Sequence, residues 1–508
     1  MYAKLLLIAA SGALLWACTA EDPPSPSDAG GASGAGGTSG AGTSGAGGTS
    51  GAGGTSGAGT SGAGGTSGGG GTSGAGGTPP AGGTSGAGGT SAQDGSPPTD
   101  GTSGRSDAAL EGGTSGGPDA DGGAMGRVDG GNRFPFPQNW RAARCTYAAG
   151  VDPEHVRQAY SAWKNEVVTT SGAGGHLRVR RPNSPGGEVD STVSEGIAYG
   201  MMLAVVMDDP MLFDELWKYS QLWLDANGLM HWYINAAGTA TLGTGGATDS
   251  DEDMAWALVM AARKWGGSGT LASAYLDLAK AQIGRIWQYE VDHTQGDLLL
   301  AGDSWGGNIV FNPSYFAPNE YRVFGQVTGK VDEWNRVIDT GYAVIAKSLN
   351  PASGNATNGL VPAWCDVNGV PKPPSAGAAT NYQYDSARMP IRIGQDYCYY
   401  GEPRAQAYLA AVSSFFGAIG AGNIVDGYDL DGTPHPDPAT PAGSPQSAVF
   451  VGGAAMGAMH DAKYRGLLDD AYARVATGQL LARSRYYNLS WTALSLAMLT
   501  GNLFDYPP

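Results

Sequence analysis

Three acidic stretches of this chain combine residue types and neighbours suited to proton transfer. In Ser191-Thr192-Val193-Ser194-Glu195-Gly196-Ile197-Ala198-Tyr199-Gly200-Met201-Met202, Glu195 stands just ahead of an apolar helical run. Partial burial at such a place raises a carboxyl pKa and keeps the group protonated near neutrality, which suits a general acid. The plainer alternative is a carboxylate that satisfies the free N–H groups of a helix start. In Tyr384-Asp385-Ser386-Ala387-Arg388-Met389-Pro390, Arg388 follows Asp385 at a spacing that allows an ion pair; this would hold the acid ionised and able to take a proton from water. In Ala247-Thr248-Asp249-Ser250-Asp251-Glu252-Asp253-Met254, four acids within five residues open another helix, where they could complement its dipole or bind a cation. The Asp-x-Asp-x-Asp spacing lacks the glycine and the later glutamate of a calcium loop. At a helix start at most one or two of these acids would face a cleft.

One protonated and one ionised carboxyl, with aromatic faces nearby, are the requirements of glycoside hydrolysis. Trp232, Trp305, Trp334, Trp364, Tyr315 and Tyr382 lie in or beside loops and are candidates for a sugar platform, with about two of them expected to stack on substrate. The elements that must position these groups read as helices. Segments 196 to 207, 210 to 226, 251 to 265, 271 to 288, 331 to 348, 403 to 420 and 467 to 482 carry apolar residues at helical spacing, separated by loops rich in Gly, Pro and Asn. In the clearest, Met254, Ala257, Leu258, Ala261, Ala262 and Trp265 fall on one face. Strand signals are few and short, so a mainly α domain with long loops is expected.

That domain does not occupy the whole chain. Of the 85 glycines, 43 fall within the first 131 positions, which hold one of the 13 tryptophans. Repeats such as Ser33-Gly34-Ala35-Gly36-Gly37-Thr38 bury no apolar surface and read as a disordered tether with a reach on the order of 60 Å. Ahead of it, Lys4, a short apolar run and Ala17 describe an export signal too short to span a membrane. Leu15-Trp16-Ala17-Cys18 resembles a bacterial lipobox, in which Cys18 would be lipidated; ordinary cleavage with release of a soluble protein is the alternative. The expected organisation is therefore a signal peptide over 1–17, a Gly/Ser/Thr-rich linker over 18–131 and a folded domain over 132–508, exported to the cell surface or outer membrane, or secreted.

The formal net charge of -17 argues against nucleic-acid binding. Cys145, Cys365 and Cys398 remain in the folded part; their odd number implies a free thiol, a Cys365–Cys398 disulfide is one open possibility, and their spacings match no zinc template. No two of the six histidines stand at ligand spacing, so neither a catalytic metal nor another cofactor is expected.

The run from Ala247 to Ala261, closing at Trp265, resembles the signature of glycoside hydrolase family 8, with Ser250 where the pattern normally has Ala or Gly. Ser194-Glu195-Gly196 with Tyr199-Gly200-Met201 adds to the resemblance, as do Gly302-Asp303-Ser304-Trp305-Gly306 and Asn312-Pro313-Ser314-Tyr315-Phe316-Ala317-Pro318. So do Gly359-Leu360-Val361-Pro362 with Trp364, and Tyr384-Asp385 with Arg388 and Pro390. The resemblance implies an all-α (α/α)6 barrel over the folded part and an inverting enzyme. Glu195 would be the general acid, Asp385 the general base, and Asp249 the acid that holds and distorts the sugar. Tyr199, Trp232, Trp305, Tyr315, Trp364, Tyr384 and Arg388 form the expected substrate-binding set. Inversion implies roughly 6.5 to 9.5 Å between the two catalytic carboxyls. Ala363 stands where many relatives have Asp. The implied activity is endo-cleavage of a β-1,4-glucan, with xylanase and chitosanase as alternatives within the family and a non-catalytic carbohydrate-binding protein as the alternative outside it. A monomer acting on polysaccharide is expected, touching a membrane only through an N-terminal lipid.

Overall fold

The computed structural model describes residues 132–508, apart from 185–186, 306–309, 376 and 439–445. The expected signal peptide, Cys18, the linker and Gly306 lie outside the described residues.

The described residues form twelve α-helices: α1 (Pro153–Val167), α2 (Ser194–Val206), α3 (Pro210–Ser220), α4 (Thr248–Trp265), α5 (Tyr275–Tyr289), α6 (Pro318–Thr328), α7 (Val331–Ser348), α8 (Met389–Tyr400), α9 (Pro403–Ile419), α10 (Ala448–Ala458), α11 (Arg465–Ala476) and α12 (Arg485–Leu499). The even-numbered helices pack each on the next, and α12 closes the ring against α2. Outside them, α3 packs on α2, α5 on α4, α7 on α6, α9 on α8, α11 on α10 and α1 on α12. This is the expected (α/α)6 barrel.

Burial follows from position in the two rings. Helix α2 buries all 13 of its residues and α10 all 11, as inner helices surrounded on every side must. Outer α7 buries only one stripe, including Trp334, Val337, Ile338, Gly341, Tyr342 and Ile345, and leaves its other face to water. Helix starts follow local chemistry: Asp152 caps α1 and Asp209 caps α3, each followed by a proline at the first helical position. Gly266, at φ 65°, ends α4.

Two expected helices run shorter than their apolar pattern. The segment expected over 210 to 226 leaves α-helix at Ser220, because the Asp225 carboxylate accepts from the N–H groups of Asn227 and Leu229 and turns the chain. The segment expected over 467 to 482 stops at Ala476, ahead of Gly478 at φ 66°.

The cysteines differ from the pairing considered above. Cys145 is bonded to Cys398, with Cα atoms 5.5 Å apart, and ties the segment before α1 to the end of α8. Cys365 is the free, buried thiol. Strand-like bridges to Phe311 and Pro371 hold it in a loop, whereas Cys398 lies in α8.

Candidate active site

Chain direction alternates between the rings, so the inner helices present their N-terminal ends to one end of the barrel. Glu195 lies in the first turn of α2, Asp249 in the first turn of α4 and Tyr486 in the first turn of α12. Asp385 and Arg388 belong to the short 3-10 turn that leads into α8, and Ser314 and Tyr315 to the one ahead of α6. A two-residue strand, Thr192–Val193, pairs with Tyr233–Ile234 and delivers the chain into α2, where Ser194 N–H donates to the Trp232 carbonyl.

Arg388 is the hub. One terminal nitrogen, Nη1, donates to Glu195 Oε2 at 2.9 Å, Asp249 Oδ2 at 2.7 Å and the Tyr199 hydroxyl at 3.2 Å. The other, Nη2, donates to Asp385 Oδ1 at 2.9 Å and Ser314 Oγ at 2.8 Å. One buried guanidinium therefore links all three carboxylates identified from sequence. The planar fork holds the Glu195 and Asp385 carboxyls on its two different terminal nitrogens.

The two carboxyls are electrostatically unequal. Burial pushes Glu195 up to about 8, against the pull of Arg388; Asp249 and Asp385 push it further up, and the hydrogen bond from Tyr486 holds it down. Asp385 rises only to about 6: burial raises it, while Arg388 and the amide of Gln383 favour its charged form. Gln383 Nε2 donates to Asp385 Oδ2 at 2.9 Å, and its own Oε1 accepts from the Asp385 N–H, which fixes the carboxylate plane. Between about pH 6 and 8 the site thus holds a protonated Glu195 and an ionised Asp385, an acid and a base in one cluster.

The aromatic candidates divide. Trp305, Trp364 and Tyr315 form one group, with ring centres 6.0 Å apart for the two tryptophans and 5.9 Å for Tyr315 and Trp364, and the Arg388 guanidinium lies 5.3 Å from the Tyr315 ring. Trp232 stacks on Tyr233 beside the strand that leads to Glu195. Tyr199 packs edge-on against Trp491 and turns its hydroxyl to Arg388. Tyr384 directs its hydroxyl to Asp426, away from the Arg388 cluster, with its ring against Phe450 and Tyr487. Trp364 and Tyr315 are buried as deeply as Trp334 and Tyr382, and of the first group only Trp305 is partly exposed. Trp334 fills the space between α7 and α6 against Tyr321 and Phe324, and Tyr382 packs on Phe416 and Phe450. A loop-adjacent position in sequence did not show that nearly all of these rings would be buried.

The acidic run at the start of α4 is buried throughout. Asp249 faces Arg388, Asp251 accepts from Gln282 of α5, Glu252 accepts from Tyr321 of α6, and Asp253 is ion-paired with Arg392 one turn below Arg388. Dipole complementation alone would leave such acids at the surface. Each is instead buried because the neighbouring helix supplies a partner.

Tyr486, Gln383 and Ser314 were not singled out from sequence. Gln383 directly precedes an identified motif, and Ser314 lies within one. Tyr486, whose hydroxyl donates to Glu195 Oε1 at 2.6 Å, lies 291 positions from its partner, and no local pattern marks it.

The model of glycosyl hydrolases family 8 matches residues 135–501. Endoglucanase A of Acetivibrio thermocellus is 36% identical over 352 residues, 68% of this chain and 69% of that protein. A beta-glucanase of Niallia circulans is 32% identical over 402 residues, 73% of this chain and 91% of that one. Among solved structures, the apo beta-1,3-1,4-glucanase from Paenibacillus sp. X4 superposes with a TM-score of 0.66 at 28% identity, over 74% of this chain and all of that one. The exo-oligoxylanase Rex8A from Paenibacillus barcinonensis, at 21% identity and a TM-score of 0.60, shares the fold. With the Arg388-centred carboxylates at the mouth of an (α/α)6 barrel and a family match over nearly the whole folded part, the chain belongs to glycosyl hydrolases family 8.

Proposed function

We propose that the protein is an inverting endo-β-1,4-glucanase. The observation that carries the mechanism is the sharing of Arg388 by a carboxyl held protonated and one held ionised at neutral pH. Glu195 gives its proton to the glycosidic oxygen as the bond to the anomeric carbon breaks. Asp385 takes a proton from the water whose oxygen bonds to that carbon from the opposite face. Asp249, on the same nitrogen of Arg388 as Glu195, holds the sugar at the cleavage point, and Trp305, backed by the buried rings of Trp364 and Tyr315, supplies an aromatic face for the chain. Exchange with solvent restores both acids after product leaves.

The substrate class rests on the relatives: those 36% and 37% identical are named endoglucanases, and the solved neighbour at 28% is a beta-1,3-1,4-glucanase. A xylan substrate is the second reading, favoured by the 26% identity to the oligoxylanase Rex8A over 49% of the chain. A carbohydrate-binding protein without turnover would not need three carboxylates gathered on one buried arginine. Reducing ends released from carboxymethylcellulose, lichenan, xylan and chitosan test the assignment. Highest activity on the two glucans, lost in Glu195→Gln, supports it; binding without release, unaffected by Glu195→Gln, refutes it.

Export and tethering belong to the same proposal. Lys4 and the apolar run before Cys18 favour export, and a lipid on Cys18 followed by the glycine-rich segment would let a monomeric, membrane-held enzyme reach insoluble polymer. Mass spectrometry of the mature N-terminus decides this: a diacylglyceryl Cys18 supports the leash, and an unmodified end removes it.

A further inference from the structure

Asp251 sits two residues from Asp249, but the mechanism gives it no task. It is fully buried, and so is Glu290, the residue after α5. The two carboxyls turn Asp251 Oδ2 and Glu290 Oε1 toward the same point, the Cα of Gly246. Asp251 Oδ1 accepts from Gln282 Nε2 at 2.9 Å, whereas Asp251 Oδ2 and both Glu290 oxygens find no aligned N–H or O–H donor among the described residues. Ionised carboxylates only accept, so two that converge are joined only if one carries a proton.

The surroundings favour that proton. The acids facing the pair are Asp225 and Asp303 from the loops, and Asp249 and Glu252 from α4; the Thr248 hydroxyl beside Glu290 acts the other way, favouring its charged form. From α5 comes Gln282, and the cation Arg285 donates to Gln282 Oε1 at 3.4 Å, with no ion pair to either carboxyl among the described residues. Burial and these like charges push both carboxyls well above the usual range. The described residues contain no group of three or more acids, histidines or cysteines placed to hold a metal ion.

The pair is built against Gly246. A Cβ at that position would lie 2.8 Å from Asp251 Oδ2 and 3.2 Å from Glu290 Oε1, so the backbone rests directly on the two carboxyls. The same glycine holds the platform: its N–H donates to Asp303 Oδ1 at 2.8 Å, and its carbonyl accepts from Trp305 Nε1 at 3.0 Å. Trp305 in turn meets Trp364 and Tyr315.

We propose that Asp251 and Glu290 share one proton and act, through Gly246, as positioning residues for Trp305, so that loss of this proton at alkaline pH loosens the aromatic platform and weakens sugar binding. The proposal rests on the reading of Trp305 as a sugar platform. With the proton gone, two charges without a facing cation converge on one buried point, and their separation displaces the glycine they support.

The test uses the full chain in a Glu195→Gln background, which removes both turnover and the titration of Glu195. Near-ultraviolet circular dichroism of the free protein and the Kd of cellopentaose are followed from pH 7 to 9.5. The expected dichroism shows one transition, absent when Asp251→Asn, Glu290→Gln or Trp305→Phe is added. The expected Kd rises above that transition, approaching tenfold per pH unit, and stays flat in Asp251→Asn and in Glu290→Gln, so a folding defect in either variant leaves the other to decide. A flat Kd without the second substitution, or a transition that survives in Asp251→Asn or Glu290→Gln, overturns the proposal. Absence of cellopentaose binding at pH 7 refutes the glucan reading instead, and the dichroism of the free protein then judges the proton pair by itself.

Discussion

Tyr486→Phe isolates the electrostatics of the acid. The Tyr486 hydroxyl donates to Glu195 Oε1 at 2.6 Å, and this bond favours the ionised carboxylate, so it holds the Glu195 pKa down. A hydrogen bond to a charged group is worth about 1.5 to 3 kcal/mol, and one pKa unit corresponds to about 1.4 kcal/mol, so removing the hydroxyl raises Glu195 by about one to two units. Activity requires Glu195 protonated and Asp385 ionised. The wild-type profile of kcat/KM should therefore rise through about pH 6, where Asp385 ionises, and fall through about pH 8, where Glu195 loses its proton. In Tyr486→Phe, made in Asp251→Asn protein so that no proton shared with Glu290 titrates, the alkaline limb moves up by those one to two units while the acid limb stays, because Asp385 is held by Arg388, Gln383 and Asn312 and not by Tyr486. The assay is initial rates on a soluble glucan at subsaturating concentration, from pH 4 to 10. An alkaline limb that stays in place or moves down, or an acid limb that moves instead, would show that Glu195 is not the group titrating there.

Arg388→Met removes the one cation shared by Glu195, Asp249 and Asp385; breaking such a buried pairing costs about 3 to 5 kcal/mol of stability. Because Arg388 lowers both catalytic pKa values, the variant's folded state binds protons more tightly, and its deficit in Tm against wild type should grow from pH 5 to pH 9. A deficit independent of pH would contradict that coupling. Trp334→Ala should lower stability by about 3 to 5 kcal/mol and leave KM unchanged, since its ring fills the α6–α7 contact, whereas Trp364→Ala should raise KM; denaturant unfolding and Michaelis kinetics separate the two. Peptide mapping without reduction should recover Cys145 joined to Cys398, and a thiol reagent should label Cys365 only after denaturation.

The site was more legible in the sequence than the barrel that holds it. Glu195, Asp249, Asp385 and Arg388 each sit in a short motif at a helix start, so local spacing offered Glu195, Asp385 and Arg388 as candidates without knowledge of how the helices meet, and the family resemblance singled out Asp249 among the four acids of its run. The inner helices are harder to read: α10, Ala448–Ala458, is buried on every side and shows no polar face from which a helical period could be inferred. Partners supplied from afar were invisible for a different reason. Tyr486 reaches Glu195, and Cys145 reaches Cys398 across 253 positions, only because the ring closes. The tryptophans show the limit of position as evidence: Trp334 and Trp364 both lie near chain turns, yet one packs between two helices and the other joins Tyr315 beside Arg388.

The central claim is that Glu195 acts as acid and Asp385 directs water to the opposite face of the sugar. Proton NMR of the products, recorded within the first minutes of hydrolysis of a β-1,4-glucan oligomer and before mutarotation, tests it most directly. The α-anomer appearing first at the new reducing end is the predicted result; a β-anomer appearing first would contradict the inverting assignment.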